Sequence, residues 1–116
     1  MDIKIIKDKI SKKKLEEIAK EGFGDMVKAV VDVEQKIMAV GGELHADEEV
    51  VLIESENSKR EFTWGINLYP GKSGNDFLEF DSMINLKPQY GNRSRGVEDA
   101  TIQEKIRIVV NKLIHE

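Results

Sequence analysis

The chain contains no cysteine. Disulfides, thiolate zinc sites and cysteine nucleophiles are therefore excluded, and a reducing compartment is expected. No apolar run approaches the roughly 18 residues that a spanning helix needs, so no membrane crossing is expected. Positive charge is also scarce: 18 Lys and Arg stand against 22 Asp and Glu, a formal net charge of −4. Broad attraction to nucleic acid or to an anionic membrane needs a basic surface, so neither is expected as a partner. Diagnostic catalytic signatures are missing too. There is no His-Glu-x-x-His, no EF-hand spacing and no Gly-x-Ser-x-Gly elbow. Gly71-Lys72-Ser73 has the tail of a phosphate-binding loop, but Ile66 stands where that pattern needs its first glycine. The segment also joins two expected strands, where the true motif joins a strand to a helix.

What is present specifies a folded domain. Hydrophobic residues make up 40% and charged residues 34%, a globular and well-solvated balance. The 116 residues predict a single domain over 1–116, long enough to bury a core without staples. Met1-Asp2-Ile3-Lys4 leads straight into a strand pattern, without the features of a targeting segment. A cytoplasmic protein is the expectation.

Periodicity supplies the elements. Ile3, Ile5 and Ile6 predict a short first strand. Ser11 is a good helix N-cap, Leu15, Ile18 and Ala19 follow at helical spacing, and Gly22 and Gly24 end the run. Lys12-Lys13-Lys14 in the first turn opposes the helix dipole; it reads as a solvated face or a place for an anion. From Met26 the period becomes two. Val27, Ala29, Val31 and Val33 share one strand face, Glu34-Gln35 reverses the chain, and Ile37, Ala39 and Gly41 return. Glu49-Val50-Val51-Leu52-Ile53-Glu54 reads as an inner strand, Phe62 to Leu68 as a half-buried one, and Leu78 to Ile84 as a fifth. Glu98 or Asp99 opens a last helix whose stripe is Ile102, Ile106, Val109, Val110 and Leu113. The expected order is β-α-β-β-β-β-β-α. This is an α+β domain: a mostly antiparallel sheet of five or six strands, with two amphipathic helices on one face.

The same alternation predicts a polar sheet face. If Trp64, Ile66 and Leu68 face the helices, Thr63, Gly65, Asn67 and Tyr69 face away. If the strands at 62–68 and 78–84 pair, Asn67 and Tyr69 align with Glu79, Asp81 and Asn85. Gly65 leaves a dent in that face for a ligand or another backbone. The plain alternative is a wet sheet face with no further role.

The densest chemistry lies in Gly41-Gly42-Glu43-Leu44-His45-Ala46-Asp47-Glu48-Glu49, which holds one of two histidines and four carboxylates. In an extended segment Glu43, His45 and Asp47 project to one side. With Glu79 and Asp81 they suit magnesium, manganese or zinc. His45 could equally act as a general base oriented by Asp47 or Glu43, but nothing in the sequence sets Ser82 or Ser94 beside it as nucleophile. Asn92-Arg93-Ser94-Arg95-Gly96 offers an anion cradle before the last helix, or arginines that pin the loop to nearby carboxylates. Tyr69 could stack on a base; Trp64, alternating with apolar neighbours, belongs to the core.

Four blocks also resemble a known family. Gly41-Gly42-Glu43-Leu44-His45-Ala46-Asp47, Trp64-Gly65-Ile66-Asn67, Glu79-Phe80-Asp81-Ser82-Met83-Ile84-Asn85 and Gly91-Asn92-Arg93-Ser94-Arg95-Gly96-Val97 together are similar to an uncharacterised family of short prokaryotic single-domain proteins, a domain of unknown function. The resemblance implies a single-domain protein and carries no activity, cofactor or catalytic residue.

The expected function is ligand binding at a mixed acidic and basic site built from Glu43, His45, Asp47, Asn67, Glu79, Asp81, Asn85, Asn92, Arg93, Ser94 and Arg95. A zwitterionic or metal-bridged phosphate ligand suits that mixture. One alternative is a phosphoester hydrolase in which a divalent metal on His45, Asp47, Glu79 and Asp81 activates water. The other is a structural protein that forms a homo-oligomer or pairs through a sheet edge.

Overall fold

The computed structural model describes residues 2–116; Met1, at the head of the expected lead-in, lies outside the described residues. Strand β1 (Lys4–Ile6) and the two-residue β2 (Ile10–Ser11) precede helix α1 (Lys12–Glu21). Ser11 caps α1 by accepting a hydrogen bond from the Lys14 amide, and Gly22 closes it. Strands β3 (Val27–Asp32) and β4 (Ile37–Val40) form a hairpin, and helix α2 (His45–Glu56) follows. Strand β5 (Thr63–Leu68) and the short β6 (Leu78–Glu79) lead through irregular chain to helix α3 (Ala100–Leu113) and β7 (Ile114–His115). Asp99 caps α3 through the Thr101 amide, as its acidic start predicts.

The main sheet has five antiparallel strands in the order β1-β4-β3-β5-β6, and β2 pairs with β7 in a small parallel sheet. The α+β class and the mostly antiparallel sheet agree with the sequence reading. Three differences matter for the site.

First, residues 49–54 are not a strand; they lie inside α2. Val50, Val51 and Ile53 supplied the β-branched signal. The residues that pack inward are His45, Glu48, Glu49 and Leu52, at helical spacing i, i+3, i+4 and i+7. Three of those four are polar, so the helical stripe does not register as an apolar pattern.

Second, the sheet is covered on both faces. On one face Ala29, Val31, Trp64, Ile66 and Leu68 pack with Leu15 and Ala19 of α1 and with Ile106, Val109, Val110 and Leu113 of α3. On the other, Val30 and Ala39 pack with Leu52 of α2 and with Ile84. All six residues of β5 are buried, including the alternate set Thr63, Gly65 and Asn67. The expected open polar face is therefore an interior surface, roofed by α2 and by the chain from Ser82 to Gly96.

Third, the expected fifth strand is cut to two residues. Ser82 starts a 3-10 turn over Met83–Asn85, its hydroxyl accepting from the Ile84 amide. That turn carries Ile84 to the second face, away from Leu78 and Phe80 on the first.

The roof is tied to β5 by side chains acting as backbone. The Gly65 amide donates to Asn85 Oδ1 at 2.8 Å, and Asn85 Nδ2 donates to the Gly65 carbonyl at 2.9 Å. Asn85 thus pairs with Gly65 as a neighbouring strand residue would. Ser82 fills the space that Gly65 leaves: a Cβ on Gly65 would lie 2.5 Å from Ser82 Cβ. The predicted dent is real, and this chain's own Ser82 occupies it.

Candidate functional site

His45 is the first residue of α2, following Leu44 at the N-cap. It is 8% exposed, and its Nε2 lies 2.8 Å from the Ile66 carbonyl oxygen. A carbonyl only accepts, so the neutral ring carries its proton on Nε2 and keeps a lone pair on Nδ1. Burial pulls the His45 pKa below the ordinary 6.5, and the nearby charge of Lys28 adds to this; the Ile66 carbonyl, Asn67 and Asp81 push the other way. His45 is a neutral base at pH 7, anchored by one nitrogen.

Asn67 lies beside it on β5. Its Nδ2 donates to Glu79 Oε1 at 2.9 Å and to the Asp81 carbonyl at 3.4 Å. The Tyr69 hydroxyl donates to the same Glu79 oxygen at 3.1 Å. Register explains the meeting, because Asn67 is the direct cross-strand partner of Glu79. Arg95 Nε completes the group with a 2.8 Å bond to Asp81 Oδ1, in an ion pair open to solvent. The remaining atom is the informative one. Asn67 is 7% exposed, and its Oδ1 has no hydrogen-bond partner among the described residues. Leaving such a group unpaired typically costs about 1–3 kcal/mol, so its presence asks for a reason.

The sequence-predicted residues divide accordingly. His45, Asn67, Glu79, Asp81 and Arg95 come together. Glu43, Asp47 and Arg93 are exposed, and among the described residues their side chains make no hydrogen bond or ion pair to that group. His45 and Asp47 do not project to one side: on a helix, residues two apart point about 200° from each other. Asn85 is spent on Gly65 and the Arg95 carbonyl. Asn92 organises its loop, donating to the carbonyls of Asn85, Ser94 and Gly96 while its Oδ1 accepts from the Glu98 amide. Ser94 Oγ accepts from the Gly96 amide, and Glu98 takes the Arg93 amide. The 92–96 segment is thus a self-bonded loop, its arginines divided between Asp81 and solvent. Among the described residues, no three His, Asp or Glu side chains gather as a metal-binding group.

Glu48, Glu49 and Lys87 are among the buried ionisable side chains that the sequence did not reveal. Glu48 is fully buried; its Oε2 accepts the Gly42 amide at 2.8 Å, and its Oε1 has no partner among the described residues. Burial raises its pKa well above the ordinary value. A Cβ on Gly42 would meet Glu48 Cγ at 2.8 Å, so this glycine makes room for the carboxyl. Lys87, 1% exposed, donates to the Arg60 carbonyl, sits 3.9 Å from Glu49 Oε2 and lies 5.1 Å over the Trp64 ring. Burial lowers its pKa to about 8 against the pull of Glu49. Glu49 also accepts from the Thr63 hydroxyl at 2.6 Å and pairs with Arg60 at 3.5 Å. The one available signal was the i, i+3, i+4 spacing of His45, Glu48 and Glu49; nothing local marks Lys87.

Fold and site together define a small α+β protein with a buried polar seam between α2 and the sheet. A family model described as "Protein of unknown function (DUF5674)" matches residues 4–113, and the chain belongs to that family. Comparison with curated proteins and with solved structures finds no match.

Proposed function

We propose that this is a small cytoplasmic ligand-binding protein whose site is the group His45, Asn67, Glu79, Asp81 and Arg95. The observation that carries the reading is the unpartnered Oδ1 of buried Asn67, beside the neutral imidazole of His45. That unused acceptor lies close to the solvent-open Asp81–Arg95 ion pair, an arrangement that a ligand can complete. Donor groups of a ligand suit Asn67, His45 and the carboxylates; its phosphate or carboxylate suits Arg95. A divalent ion bridging a phosphate to Glu79 and Asp81 is the other form of the same ligand class. The cysteine-free sequence supports a reducing setting.

Thermal-shift and calorimetric titration with nucleotides, with and without magnesium, tests the reading. Ligand at a hundredfold excess over Kd stabilises by about 2.7 kcal/mol, a shift of several degrees in a chain this size. The Asp81→Asn and Arg95→Ala variants are expected to lose that shift while folding normally. Absence of any shift at millimolar ligand counts decisively against it.

A further inference from the structure

A cavity of about 360 Å³ lies where the end of α1 meets the turn after β5. That volume is at the low end for small-molecule sites, about 300–1,000 Å³. Ala19, Gly24, Tyr69 and Pro70 give it a largely apolar lining, to which Asp25 and Lys72 add charge.

Tyr69 decides what chemistry fits. Its hydroxyl hydrogen is committed to Glu79 Oε1. What the phenol keeps to offer is its electron-rich ring face and an oxygen lone pair, both of which attract cations and donors. The ring already holds a cation: Lys72 Nζ lies 4.8 Å from its centroid. Among the described residues Lys72 has no carboxylate partner within salt-bridge distance, so the ring is its main attraction. Burial raises the Tyr69 pKa, and Glu79, Asp25 and Asp81 raise it further, so the ring sits in a negative local field. Lys20 also lines the cavity, as does Glu16, and their charges offset.

We propose that this cavity binds a small alkylammonium ligand, with its cationic head over Tyr69 beside Asp25 and its short apolar body along Ala19 and Pro70. The ligand head takes the place now held by the Lys72 ammonium. The cavity touches the site proposed above through Glu79, which accepts from Tyr69, and through the charge of Asp81, but ligand binding here does not rest on that function.

The test is an amide NMR titration of the whole chain with choline, with butylamine, and with 3,3-dimethylbutanol as an uncharged match to choline. Saturable shifts at Gly24, Gly71 and Lys72 are expected with both amines and not with the alcohol. Tyr69→Leu is expected to abolish binding, Asp25→Asn to weaken it about tenfold, and Lys72→Ala to tighten it several-fold by removing the resident competitor. Asp25 is exposed, so its variant keeps the test valid should Tyr69→Leu fail to fold. No saturable shift up to about 50 mM overturns the proposal, as does an equal response to the alcohol or unchanged binding in Asp25→Asn. Amine binding that fails while nucleotides still bind removes this inference alone; the reverse removes only the earlier one.

Discussion

Individual side chains do the work of missing backbone in this protein, and Gly65 shows what that requires. Its alternation partners Asn67 and Thr63 identified the correct sheet face, and its lack of a side chain identified a dent. The occupant was not legible, because Ser82 arrives from a turn that breaks the strand pattern. Gly65→Ala forces a Cβ to within 2.5 Å of Ser82 Cβ and Oγ. The expected cost is about 1–3 kcal/mol, as for other overpacked sites, read as a lower urea midpoint at unchanged m-value. Asn92 is the sharper case. Its amide makes three donor contacts and one acceptor contact within the loop. Asn92→Ala is expected to destabilise by about 2 kcal/mol or more, because several buried partners lose their bonds together. Sequence reasoning gave Asn92 to a ligand; the amide is instead used by its own loop.

The elements were legible where apolar residues mark their faces and illegible where polar ones do. Helices α1 and α3 present apolar stripes and Ser or Asp caps, and the hairpin β3–β4 alternates cleanly. Helix α2 buries His45, Glu48 and Glu49, so its β-branched outer residues dominate the pattern. Its N-terminus is weak as well, because Leu44 at the N-cap has no oxygen to offer the first turn. Leu44 has extended backbone angles, φ −128° and ψ 140°, and its side chain is exposed. Both suit a serine. Leu44→Ser is therefore expected to stabilise by about 0.5–2 kcal/mol, raising the melting temperature by a few degrees. An unchanged or lower melting temperature would show that Leu44 packs against something its exposure does not reveal. Part of the candidate site was legible through register alone: pairing β5 with β6 put Asn67 against Glu79. His45 joined them for a reason the sequence hides, since helix α2 aims it at the Ile66 carbonyl.

At the scale of the whole molecule, His45, Glu48 and Lys87, buried groups whose pKa values burial shifts, give stability opposing dependences on pH. The His45 pKa is depressed, so the unfolded chain binds a proton more readily below pH 6.5, and stability falls as pH drops through that range. The Glu48 pKa is raised, so the native state holds a proton that the unfolded chain releases above pH 4.5. Its contribution is full below that pH and is lost as pH rises towards the folded value. Between about pH 4.5 and 6.5 the two slopes oppose, and the wild type is expected to have a shallow stability profile there. Lys87 acts higher. Its pKa drops from 10.5 to about 8, so stability rises between those values, by about 3 kcal/mol at most. Substitution separates the terms. Glu48→Gln keeps an acceptor for the Gly42 amide and removes the ionisation. It is expected to gain on the wild type steadily as pH rises from 4.5, and its own acid limb steepens because the His45 slope is no longer offset. Lys87→Met removes the rise between pH 8 and 10.5. It is expected to match or exceed the wild type at pH 7, where the buried ammonium is least favourable, because Glu49 keeps Arg60 and the Thr63 hydroxyl as partners. Urea denaturation of the three proteins from about pH 4 to about pH 11 measures all of this. Parallel profiles for Glu48→Gln and the wild type would mean that Glu48 ionises normally, and that the carboxyl sealed against Gly42 reaches water.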